Sequence, residues 1–134
     1  MASIINIEGI GKTYKAKLKK INIYTTEALL EAGATRSGRK KLAEKTGISE
    51  KLILEWVNLS DLFRIKGVGE EYSDLLEEAG VDTVRELAQR KPENLLKKMQ
   101  ETNAKKKLVR QLPTLANVED WVAQAKALPR VVKY

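Results

Sequence analysis

Apolar residues recur at spacings of three and four along most of this 134-residue chain, and strand-like alternation is nearly absent. Such spacing places apolar side chains on one face of an α-helix, so the pattern predicts an all-α fold. Two stripes, each built around a tryptophan, are the clearest and are expected to be buried core faces. They comprise Leu52, Ile53, Trp56 and Val57 in one case, and Val118, Trp121, Val122, Ala125 and Leu128 in the other.

Residues that commonly begin and end helices accompany these stripes. Thr83 with Glu86 predicts a capping box, and Pro92 fits the first turn of a helix. Ser49 and Asn117 are candidate N-caps of the two tryptophan helices. Four glycines are expected where helices end, namely Gly33, Gly38, Gly47 and Gly80.

A pattern of glycines and apolar residues occurs twice, at Ile7–Tyr14 and at Ile65–Tyr72, and both copies begin Ile-x-Gly-apolar-Gly and end in tyrosine. Further matches follow at the same offset of 58 residues. Identity falls on positions that shape the backbone and core while surface residues differ, which indicates an internal duplication. We therefore expect two pseudo-repeated units, 1–60 and 61–128, packed as one compact helical protein. An extended tail, 129–134, is expected to follow along the surface.

The repeated pattern resembles the helix-hairpin-helix motif of DNA repair and recombination proteins. In that motif the glycines let the backbone approach a phosphate, and amides at the second helix's N-terminus face the anion. The resemblance implies sequence-independent binding to DNA, or alternatively RNA, because phosphate contacts carry no base information. In the first copy the nucleic-acid-binding residues would be Gly9, Ile10, Gly11, Lys12, Lys15 and Lys19. Few residues precede this first turn, too few for a full first helix of the motif.

The second hairpin, formed by Gly67, Val68 and Gly69, differs in charge. Residues 64–89 include three basic and seven acidic residues, so the net negative charge of this segment would repel a phosphate. We expect the second hairpin to be structural. Its acidity also supports the main alternative function, a protein-interaction or scaffold module that has lost DNA binding and contacts a protein partner here.

Composition narrows the possible chemistry. The net charge is +7, which favours polyanionic partners, and neither cysteine nor histidine is present. Without imidazoles or thiols the usual transition-metal sites and many catalytic groups are excluded, so we expect a non-enzymatic protein without metal or cofactor and without a small-molecule substrate. No signal-peptide or membrane-spanning pattern occurs, which predicts a cytoplasmic protein that does not bind membranes. Further basic clusters, which could be solvated helix faces, are Arg36, Arg39, Lys40, Lys41 and Lys45, then Lys97 and Lys98, then Lys105, Lys106, Lys107 and Arg110.

Nearly the whole chain also resembles an uncharacterised bacterial family of tandem helix-hairpin-helix proteins, known only as a domain of unknown function. The likeness lies in Glu31–Thr35, Leu42–Ile48, Leu54–Val57, Ile65–Gly69 and Val118–Val132. This resemblance implies the fold, but no established activity comes with it.

Overall fold

The computed structural model describes residues 3–7 and 9–133. Within them the chain forms a short 3-10 helix and eight α-helices, and no strand. The prediction of an all-α fold is confirmed. After the 3-10 helix Ile4–Asn6, the α-helices are α1 Lys12–Lys19, α2 Thr26–Ala32, α3 Arg36–Thr46, α4 Glu50–Leu62, α5 Glu70–Glu78, α6 Val84–Ala88, α7 Pro92–Lys106 and α8 Leu115–Ala127.

The chain divides into two compact units. Unit 1 extends to Asp61 and also contains the chain from Val131 onwards, whereas unit 2 is Leu62–Arg130. Each unit has a separate cluster of buried apolar side chains. Unit 1 is therefore formed by two separate segments of the chain, and unit 2 by the continuous segment between them.

The C-terminal segment differs from the surface tail that the sequence suggested. Residues 129–133 form no helix or strand, but Val132 is buried in the core of unit 1. The Lys133 N–H donates a hydrogen bond of 2.8 Å to the Ala34 carbonyl, in the loop that joins α2 to α3. An apolar side chain and a backbone pairing thus hold this segment against unit 1, which corrects its predicted place on the surface.

Arg39 belongs to a basic cluster that the sequence suggested as a solvated helix face, but its side chain is buried and only 5% exposed. Its guanidinium donates to the carbonyls of Gly33 at 2.9 Å, Ala34 at 3.3 Å and Lys133 at 2.9 Å. Burial of a guanidinium is tolerated where carbonyl oxygens accept its hydrogen bonds. Arg39 therefore joins α3 to the α2–α3 loop and to the C-terminal segment.

In unit 2, helix α8 packs against α6 and α7, and α5 packs against α7. The stripe on α8 forms the centre of this core, with Val118, Trp121, Val122 and Ala125 buried. The corresponding stripe on α4 buries Ile53, Trp56 and Val57 in unit 1. The predicted burial of both tryptophans is confirmed.

Helix ends follow most of the predicted signals. Ser49 accepts from the Leu52 N–H at the start of α4, and Pro92 lies in the first turn of α7. Gly33, Gly47 and Gly80 lie directly after helices or helix caps, as expected. At α6 only half of the predicted capping box forms: the Thr83 hydroxyl accepts from the Glu86 N–H, while the Glu86 carboxylate pairs with Arg90.

Two predictions of helix ends are wrong. Gly38 lies inside α3, and a Cβ at this position would stand 2.3 Å from the Ala32 carbonyl oxygen, so glycine permits a close approach between two chain segments. Asn117 is not the N-cap of α8. Thr114 is the cap, and Asn117 is its reciprocal partner in a capping box, accepting from the Thr114 N–H at 3.0 Å.

Candidate nucleic-acid interface

The first hairpin turns through Gly9, which is exposed and has a φ of +93°. L-residues with a Cβ rarely adopt this backbone conformation, so the turn requires glycine. Ile10 is buried, and its N–H donates to the Ile7 carbonyl at 3.2 Å. Among the described residues before this turn, the 3-10 helix Ile4–Asn6 is the one helical element.

The second hairpin has nearly the same local geometry. Gly67 has a φ of +96°, Val68 is buried, and the Val68 N–H donates to the Ile65 carbonyl at 3.1 Å. Gly69 then precedes α5 in an extended conformation, as Gly11 does before α1.

A tryptophan side chain lies behind each hairpin glycine. A Cβ on Gly9 would stand 3.5 Å from Nε1 of Trp56, and a Cβ on Gly67 would stand 3.0 Å from Nε1 of Trp121. A tyrosine packs on each indole, with ring centroids 5.0 Å apart for Tyr14–Trp56 and 5.2 Å apart for Tyr72–Trp121. The tryptophan helices therefore support the hairpins directly, a role that their apolar stripes alone did not indicate.

The helices after the two hairpins begin alike but carry opposite charge. Gly11 and Gly69 are the N-caps of α1 and α5, and since glycine has no side chain, no side-chain oxygen caps the first-turn amides. At α5 the acidic Glu70 and Glu71 lie in the first turn, near these amides. Their negative charge interacts favourably with the positive end of the helix dipole. At α1 no acidic residue lies in the first turn, and Lys12 occupies the first helical position. The N-terminus of α1 is therefore the more electropositive of the two.

The three predicted lysines form one stripe along α1. Lys12, Lys15 and Lys19 are spaced by three and four residues, which places them along one face of the helix. Lys12 and Lys19 are exposed, and Lys15 is half-buried. Lys17 lies apart from this stripe, with Nζ 5.9 Å from the centre of the Tyr14 ring. The structure thus places Gly11 and Lys12 at the N-terminal end of α1, and Lys15 and Lys19 follow along one face of the helix to its C-terminal end.

The equivalent positions in unit 2 carry no such stripe. Glu70 stands at the place of Lys12, and Ser73 stands at the place of Lys15. Ser73 is buried and its hydroxyl donates to the Glu70 carbonyl at 3.0 Å. Glu78, near the end of α5, pairs with Lys106 of α7. The α5 face is therefore acidic and partly occupied by internal contacts.

The remaining basic clusters lie almost entirely on the surface. Apart from Arg39, all of the residues in those clusters are exposed. Arg36 and Lys40 line a shallow depression of about 510 Å³, together with Ser37 and Glu50. Because Glu50 also lines this depression, the depression carries charges of both signs. It is therefore less suited to binding an anion than the lysine stripe on α1.

Sequence reasoning missed Tyr24, an aromatic side chain that is 48% exposed in the loop after α1. The loop closes on the helix end: the Ile23 N–H donates to the Leu18 carbonyl, and the Asn22 N–H donates to the Lys19 carbonyl, with Asn22 in the left-handed region. The Tyr24 carbonyl accepts from the Ile4 N–H at 3.1 Å. Tyr24 is thus an exposed aromatic side chain on a fixed backbone, a few residues after Lys19.

None of the helices in the described part of the chain combines the length and apolar character that a membrane span requires. Among residues 3–7 and 9–133, no group of three or more acidic side chains is arranged to hold a metal ion.

No curated protein and no solved structure matches the chain. The family model described as a domain of unknown function, DUF4332, matches residues 8–128, which is most of the chain. The resemblance to an uncharacterised family is confirmed to this extent. The protein therefore belongs to the DUF4332 family of domains of unknown function.

Proposed function

We propose that unit 1 binds the phosphate backbone of DNA, without base readout and without catalysis, through its glycine hairpin and the first turns of α1. The observation that carries the proposal is the N-terminus of α1. Its amides have no side-chain cap, and the first-turn residue beside them is Lys12 rather than an acid. A cation at the positive end of a helix dipole is unfavourable by itself, and a bound anion would offset both charges and accept from the free amides.

The proposal includes a helix-hairpin-helix origin for both hairpins and a duplication that produced the two units. Three local features support it: left-handed Gly9 and Gly67, a tryptophan nitrogen behind each glycine, and Gly11 and Gly69 at the start of the next helix. In this view unit 2 has kept the hairpin as structure and has replaced its cations with acids.

RNA is an alternative to DNA as the polyanion that unit 1 would bind. The second candidate function is that of a protein-interaction module. The exposed Glu70 and Glu71 favour it, because they present negative charge at the hairpin where a phosphate contact would otherwise form. A basic protein segment would suit this surface, whereas a nucleic acid would be repelled.

A binding titration against duplex DNA, single-stranded DNA and RNA at several salt concentrations tests the proposal. The key variant is Lys12→Glu with Lys15→Glu, which reverses two charges on the α1 stripe. We expect weaker binding and a salt slope lower by about two units, since each phosphate contact contributes roughly 0.9. Helicity, followed by circular dichroism, should be preserved, because neither side chain is fully buried.

The matched control is Glu70→Lys with Glu71→Lys, at the equivalent hairpin of unit 2. It should strengthen binding or leave it unchanged. Unaltered affinity and salt slope in the Lys12, Lys15 variant would favour the protein-interaction module instead. A lack of binding by the unmodified protein at low salt would reject the DNA proposal outright.

A further inference from the structure

The indole N–H of Trp56 is a hydrogen-bond donor directly behind the first hairpin. The side chain is 1% exposed. Its ring packs against that of Tyr14 at an interplanar angle of 59°, and among residues 3–7 and 9–133 no atom accepts a hydrogen bond from its nitrogen. Buried tryptophan N–H groups usually have an acceptor, because an unmade hydrogen bond is unfavourable.

This nitrogen faces the hairpin. Nε1 of Trp56 lies 3.5 Å from the point where a Cβ of Gly9 would stand, and Gly9 itself is exposed. Within the described residues no fully enclosed side-chain nitrogen or oxygen lacks a partner, so Nε1 is not sealed from solvent. The missing side chain of Gly9 leaves the space through which an outside acceptor can approach the nitrogen.

We propose that the Trp56 indole N–H donates a hydrogen bond to a phosphate oxygen held at the first hairpin. This inference rests on the proposed function and assigns one more binding residue to the same site. The donor is neutral and fixed by packing, so it would add affinity without adding a counterion-releasing charge. The ligand chemistry is a phosphate oxyanion, supplied either by a nucleic-acid backbone or by free phosphate.

Unit 2 provides an internal control for this donor. Trp121 is also buried, and its Nε1 likewise has no acceptor among the described residues. It lies 3.0 Å from the position of a Gly67 Cβ. The next helix there begins with Glu70 and Glu71, which repel an anion. The same indole behind the same kind of turn should therefore remain without a phosphate partner.

Nuclear magnetic resonance of the ¹⁵N-labelled full chain tests the inference directly. The protein has two tryptophans, so its spectrum contains two indole N–H signals, which Trp121→Phe assigns. On titration with a duplex oligonucleotide, the Trp56 indole proton should shift downfield and exchange more slowly, while the Trp121 signal stays in place. A parallel titration with inorganic phosphate distinguishes the two sources: a shift at low concentration with phosphate alone identifies free phosphate as the ligand.

Trp56→Phe gives a second readout, since it removes the donor and keeps an aromatic ring. It should weaken DNA binding by about tenfold to a hundredfold, as expected for a hydrogen bond to a charged group. The salt slope should not change, unlike that of the Lys12, Lys15 variant. If the variant does not fold, the spectrum of the unmodified protein still decides the question.

Two results would overturn the inference while the proposed function stands: DNA binds but the Trp56 indole signal does not move, or both indole signals move equally. If neither DNA nor phosphate binds at low salt, the inference and the proposed function fail together.

Discussion

Replacing Arg39 by methionine should destabilise unit 1 strongly, although its neighbours on α3 are ordinary surface cations. The guanidinium is buried and donates to three carbonyls, two of them at 2.9 Å and one at 3.3 Å. Methionine keeps most of the side-chain length and fills apolar space, but it cannot donate. The variant therefore leaves the carbonyls of Gly33 and Lys133 without this donor.

The magnitude follows from the two shorter bonds. A hydrogen bond from a charged donor contributes about 1.5–3 kcal/mol to stability. Leaving a partly buried carbonyl without its donor lowers the free energy of unfolding by a similar amount. The gain from no longer burying a charge offsets part of this loss. We expect the free energy of unfolding to fall by about 3 kcal/mol, a large share of the roughly 5–15 kcal/mol that stabilises a typical domain.

Urea unfolding followed by circular dichroism measures the change, with Arg36→Met as the matched control. Arg36 lies on the same helix and is exposed, so its replacement should change stability by no more than about 0.5 kcal/mol. Equal effects of the two substitutions would refute the assignment of Arg39 as a buried structural residue.

The contact with the C-terminal segment can be tested separately by ending the chain after Arg130. This truncation removes the Lys133 carbonyl and the buried Val132, and we expect it alone to destabilise unit 1 by a few kcal/mol. Because Arg39 and Lys133 share a hydrogen bond, the two changes should not be additive. Strict additivity would mean that the bond between them contributes nothing to stability.

Three further predictions concern the hairpins and a helix cap. Lys12→Glu alone should raise the unfolding free energy by about 0.3–1 kcal/mol in the absence of DNA, because it places an acid at the helix N-terminus; lower stability would argue against an unfavourable cation there. Gly67→Ala should destabilise more than Gly9→Ala in thermal unfolding. Both force about 1–2 kcal/mol of left-handed strain, but at Gly67 the new Cβ also stands only 3.0 Å from the Trp121 nitrogen, and a reversed order would contradict this geometry. Thr114→Ala should cost about 1 kcal/mol by removing the capping box of α8, and an unchanged midpoint would show that the cap is dispensable.

Local features of this protein could be predicted from its sequence because they depend on residues a few positions apart. Spacing of three and four marks the buried faces of α4 and α8, including both tryptophans. The glycine pattern predicts the two hairpin turns at Gly9 and Gly67, because a left-handed residue without a Cβ penalty must be glycine. The lysine stripe on α1 follows from helical spacing alone.

Contacts between distant parts of the chain were decided only by the tertiary structure. An arginine at position 39 could be a solvated cation or a buried hydrogen-bond donor, and the sequence near it does not distinguish the two. Its role depends on a carbonyl 94 residues away. Gly38 looks like a helix end because glycine ends many helices, yet it lies within α3, where the nearby Ala32 carbonyl leaves no room for a Cβ. Likewise, no local pattern places the Trp56 nitrogen behind Gly9, since that juxtaposition arises when α4 packs beneath a turn more than forty residues earlier. Sequence periodicity encodes which face of a helix is apolar, whereas the identity of the group that meets this face depends on how the helices pack.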